Sequence, residues 1–272
     1  MARKVKLIEL DKAGSEWVIT AYLADEPRMI EVIESGKKPH TVTGSLLASV
    51  SETTVAEEHA AIGSERNPDL ISEIRQDMPG LAEAKFLPRT MSIYQCGKKS
   101  NHGFNYKLGS KKWGRLNEVP ESEAILVRKQ YLNIYALRVY WADIEEQLKQ
   151  DRTLYNCFGR RRTFRARWDD DLFKAAYAWK PQSTSVEIVN RAMVKFWNDE
   201  RLEFQRAELL LHRHDSLTFQ HPGTDTEIAQ FISSMTAHMD PALQGKERKF
   251  VVQTTVKIGP NLGEMVPYEA PV

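Results

Sequence analysis

Cysteine is scarce: Cys96 and Cys157 are the only two among 272 residues, and they lie far apart. Neither a disulfide framework nor a cysteine-built zinc cluster is readable from them, and both are expected to be ordinary buried thiols. Long apolar runs are missing as well. No stretch approaches the ~20 residues a membrane span needs, and with 42 % hydrophobic and 28 % charged residues a soluble protein without a membrane partner is expected. Met1-Ala2-Arg3-Lys4 leads straight into a strand-like run, without the apolar core and cleavage site of a secretory signal, which points to the cytoplasm. Repeats and low-complexity segments are absent. Net charge is nearly absent too, at +1, yet basic residues crowd into Lys98-Lys99, Lys107 to Arg115 and Arg160 to Arg167. Such clusters suit a surface stripe facing polyanions, and they equally suit solvated helix faces.

What is present has an order. Val5 to Leu10 reads as a short buried strand ending in Asp11, and a helical run, Glu16 to Leu23, starts soon after it. Pro27 opens a second helix that Gly36 closes, and His40-Thr41 sits at a loop-to-helix entry. Residues 50–85 are polar and broken at Gly63, Pro68 and Pro79-Gly80, so short helices joined by surface loops are expected. Pro88 is placed to begin a helix running to about Tyr106. Pro120 opens a long one from Glu121 to Gln150, with Ile125, Tyr131, Leu132, Tyr135, Val139 and Leu148 on its apolar stripe. Tyr155 to Arg160 reads as strand and turn, residues 185–206 as helix, and 209–219 as a hairpin turning at His214-Asp215. A helix near 225–238 and an alternating strand, Lys249 to Ile258, complete the chain. The economical architecture is α+β: a small antiparallel sheet drawn from both chain ends, with a mostly helical subdomain inserted between them.

Two features invite chemistry. Asp11 and Asp215 each end an apolar strand, far apart in sequence. Hard oxygen ligands on rigid strand ends are what two-metal phosphoryl transfer needs to clamp Mg²⁺ on an in-line displacement. Strand-end aspartates also serve as turn formers and helix caps. The second feature is a stripe: Tyr94, Lys98, His102 and Tyr106 recur every fourth residue and share one helical face. Lys98 to Tyr106 would span about 12 Å of helix, comparable to an extended nucleoside triphosphate, with a cation for phosphates and an aromatic for the base. The same spacing fits core tyrosines with Lys98 and Lys99 reaching into water. Asp169-Asp170-Asp171 reads as a helix cap and dipole complement rather than a metal site, and His212, His221 and His238 show no metal-type pairing.

In their order, these motifs resemble the DNA polymerase I family, family A. Asp11-Lys12-Ala13-Gly14-Ser15-Glu16 is similar to its first catalytic segment, and Pro39-His40-Thr41 follows at a similar distance. Gly97-Lys98-Lys99-Ser100-Asn101-His102-Gly103-Phe104-Asn105-Tyr106 looks like the nucleotide-binding helix of the fingers. Phe158-Gly159-Arg160-Arg161-Arg162 matches a run between fingers and palm, Gln182 with Arg191 to Lys195 the long palm helix, and His214-Asp215 the second catalytic segment. The resemblance implies a palm built from residues 1–24 and 169–272, with fingers at 25–168. It implies two Mg²⁺ ions held by Asp11, Asp215 and the main-chain carbonyl of Lys12. One ion would lower the pKa of a primer 3′-hydroxyl and the other would steady the pyrophosphate. His40, Lys98, His102 and Tyr106 would meet the nucleotide, with Lys98 neutralising triphosphate charge and protonating pyrophosphate, and Tyr106 stacking near the templating base. Glu16 would lie beneath the sugar and exclude a 2′-hydroxyl, although a first-turn glutamate also complements the helix dipole. On the DNA side stand Gln182, reading minor-groove acceptors shared by all correct pairs, and His214. Arg160, Arg161 and Arg162 would grip template phosphates or form a solvated hairpin tip.

Some family positions are altered. Tyr94 stands where an arginine usually precedes the helix lysine by four, and on a helix from Pro88, Arg89 falls on the opposite face. His102 replaces an aromatic, Ser216 a frequent third carboxylate, and Lys174 and Ala178 an arginine and an asparagine. Only a few residues precede the first catalytic strand, where family members carry a thumb and often an exonuclease. The expectation is the palm and fingers of a phage-type DNA polymerase split over two polypeptides. It would work in the host cytoplasm on primer-template DNA and deoxynucleoside triphosphates (dNTPs), with an amino-terminal partner carrying thumb and exonuclease. Two alternatives stand beside it: a catalytically idle DNA-binding or assembly subunit on the same fold, and a relative of single-subunit RNA polymerases, where a small residue usually replaces Glu16.

Overall fold

A computed structural model describes residues 5–12 and 14–269; Met1 to Lys4 and Ala13 of the first motif lie outside the described residues. Along the chain come β1 (Lys6–Asp11), α1 (Ser15–Ala24), α2 (Pro27–Glu34), α3 (Pro39–Ala48), α4 (Glu52–Ile62) and α5 (Pro68–Gln76). Then follow α6 (Ile93–Phe104), α7 (Ser110–Asn117), α8 (Glu121–Ile134), α9 (Arg138–Asp151), β2 (Thr153–Tyr155) and β3 (Arg161–Thr163). The last stretch holds α10 (Asp170–Trp197), α11 (Leu202–Arg206), β4 (Glu208–His212), β5 (Ser216–His221), α12 (Asp225–Met239), β6 (Leu243–Gln244), β7 (Lys249–Phe250), β8 (Thr255–Gly259) and β9 (Val266–Pro267). The chain divides into two units: one of Met1–Ile19, Tyr155–Arg160 and Lys180–Val272, the other of Thr20–Leu154 and Arg161–Trp179.

The first unit holds the sheet, in the order β4-β5-β1-β8-β9, with antiparallel neighbours throughout. Alternation in β1 turns Ile8 and Leu10 into the core, where they meet Leu217 and Phe219 of β5. Helical residues Val189, Ala192 and Phe196 of α10 and Ile228, Phe231 and Met235 of α12 close that core. Phe219 and Phe231 lie 5.2 Å apart, nearly edge to face, the arrangement aromatic pairs prefer. Helix α12 begins in a capping box, Thr224 accepting from the Glu227 N–H while Glu227 reaches back to the Thr224 N–H. The strands thus come from both chain ends, as the pattern predicts.

The second unit is mostly helical. Its α3 and α6 cross closely because Gly44 and Gly97 carry no side chain: a Cβ on Gly97 would stand 2.7 Å from the Gly44 nitrogen, and one on Gly44 2.8 Å from the Ile93 carbonyl oxygen. A buried ion pair braces the approach to α6. Arg75 binds Glu58 at 2.5 Å, Glu58 accepts from the Ile93 N–H at 2.8 Å, and Arg75 donates to the Pro88 and Met91 carbonyls. Asp169 caps α10 through the Asp171 and Leu172 N–H groups, as expected for that acidic run.

Four predicted elements change. Pro88 does not open α6: Ser92 caps it, accepting from the Gln95 N–H, while the Pro88 and Met91 carbonyls are taken by Arg75. Arg89 is therefore outside the helix and pairs with Glu123 at 3.8 Å. The helix expected over 121–150 breaks at Tyr135, which turns extended and is fully buried with its hydroxyl 2.9 Å from Thr43, whereas Ile125 and Val139 are exposed. The helix expected over 185–206 instead starts at Asp170, runs through Pro181 and stops at Trp197, with α11 separate. The last strand splits into β7 and β8.

Candidate active site

Asp11 ends the central strand, in register with Ser216 on β5 and Thr255 on β8. The next N–H, that of Lys12, donates to the Asp215 carbonyl at 3.0 Å. Sheet register therefore sets two aspartates from opposite ends of the chain on adjoining strand ends. Gly14, with φ +68°, lets the chain swing from strand into α1, and the Ser15 N–H closes this turn on the Lys12 carbonyl at 3.0 Å. The Ser15 hydroxyl then bonds the Ser185 hydroxyl of α10 at 2.7 Å, both buried.

Lys12 is also an anchor. Its side chain is fully buried, and its ammonium donates to Asp240 at 2.5 Å, just past α12, and to the Val252 carbonyl. Thr254 donates to the same Asp240 oxygen. Burial lowers the Lys12 pKa, opposed by the hydrogen bond and charge of Asp240. Sequence reasoning used only the Lys12 carbonyl. No spacing signal marks Asp240 as its partner.

Asp11 and Asp215 offer hard oxygens suited to Mg²⁺, which takes one or two carboxylates and fills its other positions with phosphate oxygens and water. The Lys12 carbonyl, already accepting from Ser15, has one lone pair left to offer. Ser216 is buried, and among the described residues no three His, Cys, Asp or Glu gather to hold an ion. The donor set fits an ion shared with substrate rather than one caged by protein alone.

Three predicted residues form one cluster. Glu16, in the first turn of α1, accepts from the Gln182 amide at 3.4 Å, and the His214 ring Nε2 lies 3.4 Å from its other oxygen. Both are at the long end of hydrogen-bonding range. Arg160 is occupied internally, donating to Glu187 at 2.5 Å, and Glu187 also accepts from Arg191 at 3.1 Å. Arg161 and Arg162 are exposed on β3, with the Arg162 guanidinium 4.7 Å from the Phe164 ring centre. Lys174 pairs with Asp170 and Asp171, and Ala178 is half-buried.

In the helical unit, Tyr94, Lys98 and His102 share a face of α6, with Lys98 and His102 exposed. Tyr106 leaves the stripe. The helix ends at Phe104, the Tyr106 N–H folds back to Gly103, and Lys107 takes φ +61°, so the 12 Å helical span does not apply. His40 is tied to this face by a chain of hydrogen bonds: Thr43 donates to the Asn101 carbonyl oxygen at 3.0 Å, and the Asn101 amide donates to His40 Nδ1 at 2.9 Å. That leaves the His40 ring proton on Nε2. Burial, then the charges of His102 and Lys98, depress the His40 pKa to about 4. His59, which sequence reasoning passed over inside a polar segment, stacks on Tyr94 at 4.3 Å.

The fold is that of a polymerase domain. It superposes on the POL domain of Pol1 from M. smegmatis, solved with DNA primer-template and dNTP, with a TM-score of 0.69 and 19 % identity over 94 % of this chain and 39 % of that one. The thermostable DNA polymerases I of Thermus caldophilus and Thermus thermophilus are each 23 % identical over 230 residues, 81 % of this chain and 23 % of theirs. The chain thus spans under a quarter of the length of these curated relatives. The DNA polymerase family A profile matches residues 82–264, and the chain belongs to that family.

Proposed function

We propose that this chain performs template-directed nucleotidyl transfer, adding dNTPs to a DNA primer 3′ end. The observation that carries the reading is the meeting of Asp11 and Asp215 on adjoining strand ends, fastened by the Lys12 N–H to the Asp215 carbonyl. Asp11, Asp215 and the Lys12 carbonyl would hold Mg²⁺. Bound there, the metal would supply Lewis-acid stabilisation of phosphate charge and a lowered pKa for the primer hydroxyl.

The remaining roles fall to side chains. Glu16, steadied by Gln182 and His214, puts a bulky carboxylate where a 2′-hydroxyl would need room. Lys98 brings an exposed ammonium to the triphosphate and a proton for pyrophosphate. His40 offers its Nε2–H, His102 meets the sugar and Tyr106 stacks near the templating base. Gln182 checks minor-groove acceptors, and Arg160, Arg161 and Arg162 lie along the template, Arg160 once released from Glu187. We further propose a second Mg²⁺, which the motif resemblance supports, together with an amino-terminal partner polypeptide with thumb and exonuclease and a phage origin with work in the host cytoplasm.

Primer extension with Mg²⁺, run with and without a co-expressed thumb-bearing polypeptide, tests the reading. Asp11→Ala and Asp215→Ala should each lower incorporation by at least about a thousandfold while the chain stays folded. Ordinary incorporation by either variant refutes the assignment. DNA binding without any wild-type extension, even with the partner, favours the idle assembly subunit.

A further inference from the structure

We propose that His59 is a phosphate-binding group of the α6 face, and that a nucleoside triphosphate binding there takes up a proton through it. The inference rests on the nucleotide-facing reading of α6 and adds to it a residue from a different helix.

Two imidazoles from two helices pack on one tyrosine, and the second of them meets a third. The His59 ring of α4 lies 4.3 Å from the Tyr94 ring at 21°, a stacked contact. His40 of α3 meets the same ring edge-on at 5.8 Å and 76°, and lies 5.8 Å from His102 of α6. Tyr94 is one turn before Lys98, so His59 is delivered beside the helix ammonium. Its orientation is set by a neighbour. Ser92 Oγ accepts the Gln95 N–H as a helix cap and lies 2.9 Å from His59 Nδ1, to which its hydroxyl can donate. In that arrangement Nε2–H is the ring's remaining donor.

The charge around these rings favours an anion. His59 is surrounded by Lys98, which disfavours its imidazolium, and by Glu58, which favours it. Glu58, however, is fully buried and bound to Arg75 and to the Ile93 N–H, so it is already neutralised locally. His40 faces Lys98 and His102, both of which oppose its charge. Burial keeps His59 and His40 neutral more than any single neighbour does. A triphosphate would reverse this balance, since its charge outweighs mutual repulsion among the rings and rewards protonation. Tyr94 would act as the spacer that holds the rings apart and places His59.

Calorimetric titration of the full chain with inorganic tripolyphosphate, at about pH 6 and about pH 8 and in buffers of different ionisation enthalpy, tests this. Wild type should take up protons on binding near pH 6. The His59→Gln variant should lose that uptake and bind about tenfold more weakly near pH 6, with little change near pH 8. Comparing the two proteins cancels the ligand's own protonation. As a second measure, the His59 ring resonances of the wild type should shift to a higher pKa when tripolyphosphate is added. Unchanged proton uptake in His59→Gln, or a ring pKa indifferent to tripolyphosphate, overturns the role of His59 alone. Failure of the wild type to bind at either pH overturns it together with the nucleotide-facing reading of α6.

Discussion

Replacing Lys12 by methionine keeps the volume of a fully buried side chain and removes its charge, leaving Asp240 without its cation and the Val252 carbonyl without its donor. Removing one member of a buried pair typically costs ~3–5 kcal/mol. The Asp240 side chain is 22 % exposed and keeps the Thr254 hydroxyl, so partial hydration should bring the Lys12→Met cost down to about 2–4 kcal/mol. Asp240→Asn should cost about 3–5 kcal/mol, because the ammonium it strands is wholly buried. The double variant strands neither charge and should lie within about 1–2 kcal/mol of wild type, a coupling far above that of an exposed pair. Urea denaturation of the four proteins reads these values directly, and melting should fall by roughly 5–15 °C in the single variants. Because Lys12 follows Asp11 and its N–H holds Asp215, primer extension should fall in the single variants even at temperatures where they remain folded. Single variants that each cost under about 1 kcal/mol, or strictly additive effects, would refute the account of this pair as the anchor of the strand ends.

Other consequences are equally open to test. Glu16→Ala should admit ribonucleotides, raising their incorporation relative to deoxynucleotides by about tenfold or more; unchanged sugar selectivity counts against the proposed placement. Gly97→Ala should push α3 from α6, costing about 1–3 kcal/mol and weakening nucleotide binding through the displaced His40, and wild-type stability and affinity would sink that explanation. The folded-state pKa of His40, about 4 against an ordinary 6.5, means the unfolded chain binds the extra proton between those values. Stability should therefore drop by about 3 kcal/mol as pH falls across that window, and His40→Gln should remove that part of the slope. Parallel pH profiles for the two proteins would exclude His40 as the source.

Much of the fold was legible because it rests on short-range physics. The alternation of β1, the turn at His214-Asp215, the Asp169 cap and the helical middle all follow from side-chain period and local hydrogen bonding. The same local signals mark Asp11 and Asp215, and the family resemblance adds Glu16, Gln182 and His214, but register alone brings the aspartates onto adjoining strand ends and only packing sets Gln182 and His214 about Glu16.

Where a buried polar group needed a distant partner, local pattern had no means to foresee the outcome. Tyr135 leaves an otherwise continuous helical period to bury its ring and reach Thr43, and Tyr106 leaves the stripe because α6 ends two residues before it. Glu58 and Arg75 look like surface charges in a polar stretch until they are found buried together against the start of α6. By itself the chain determined most of the helices and strands, though not where several of them begin and break, and which residue types recur at chemically useful spacings, since those depend on neighbours within a turn or two. Tertiary structure alone decided that Lys12 meets Asp240 and that His59 stacks on Tyr94, because desolvating a polar side chain is tolerated only where a complementary group arrives from elsewhere in the chain.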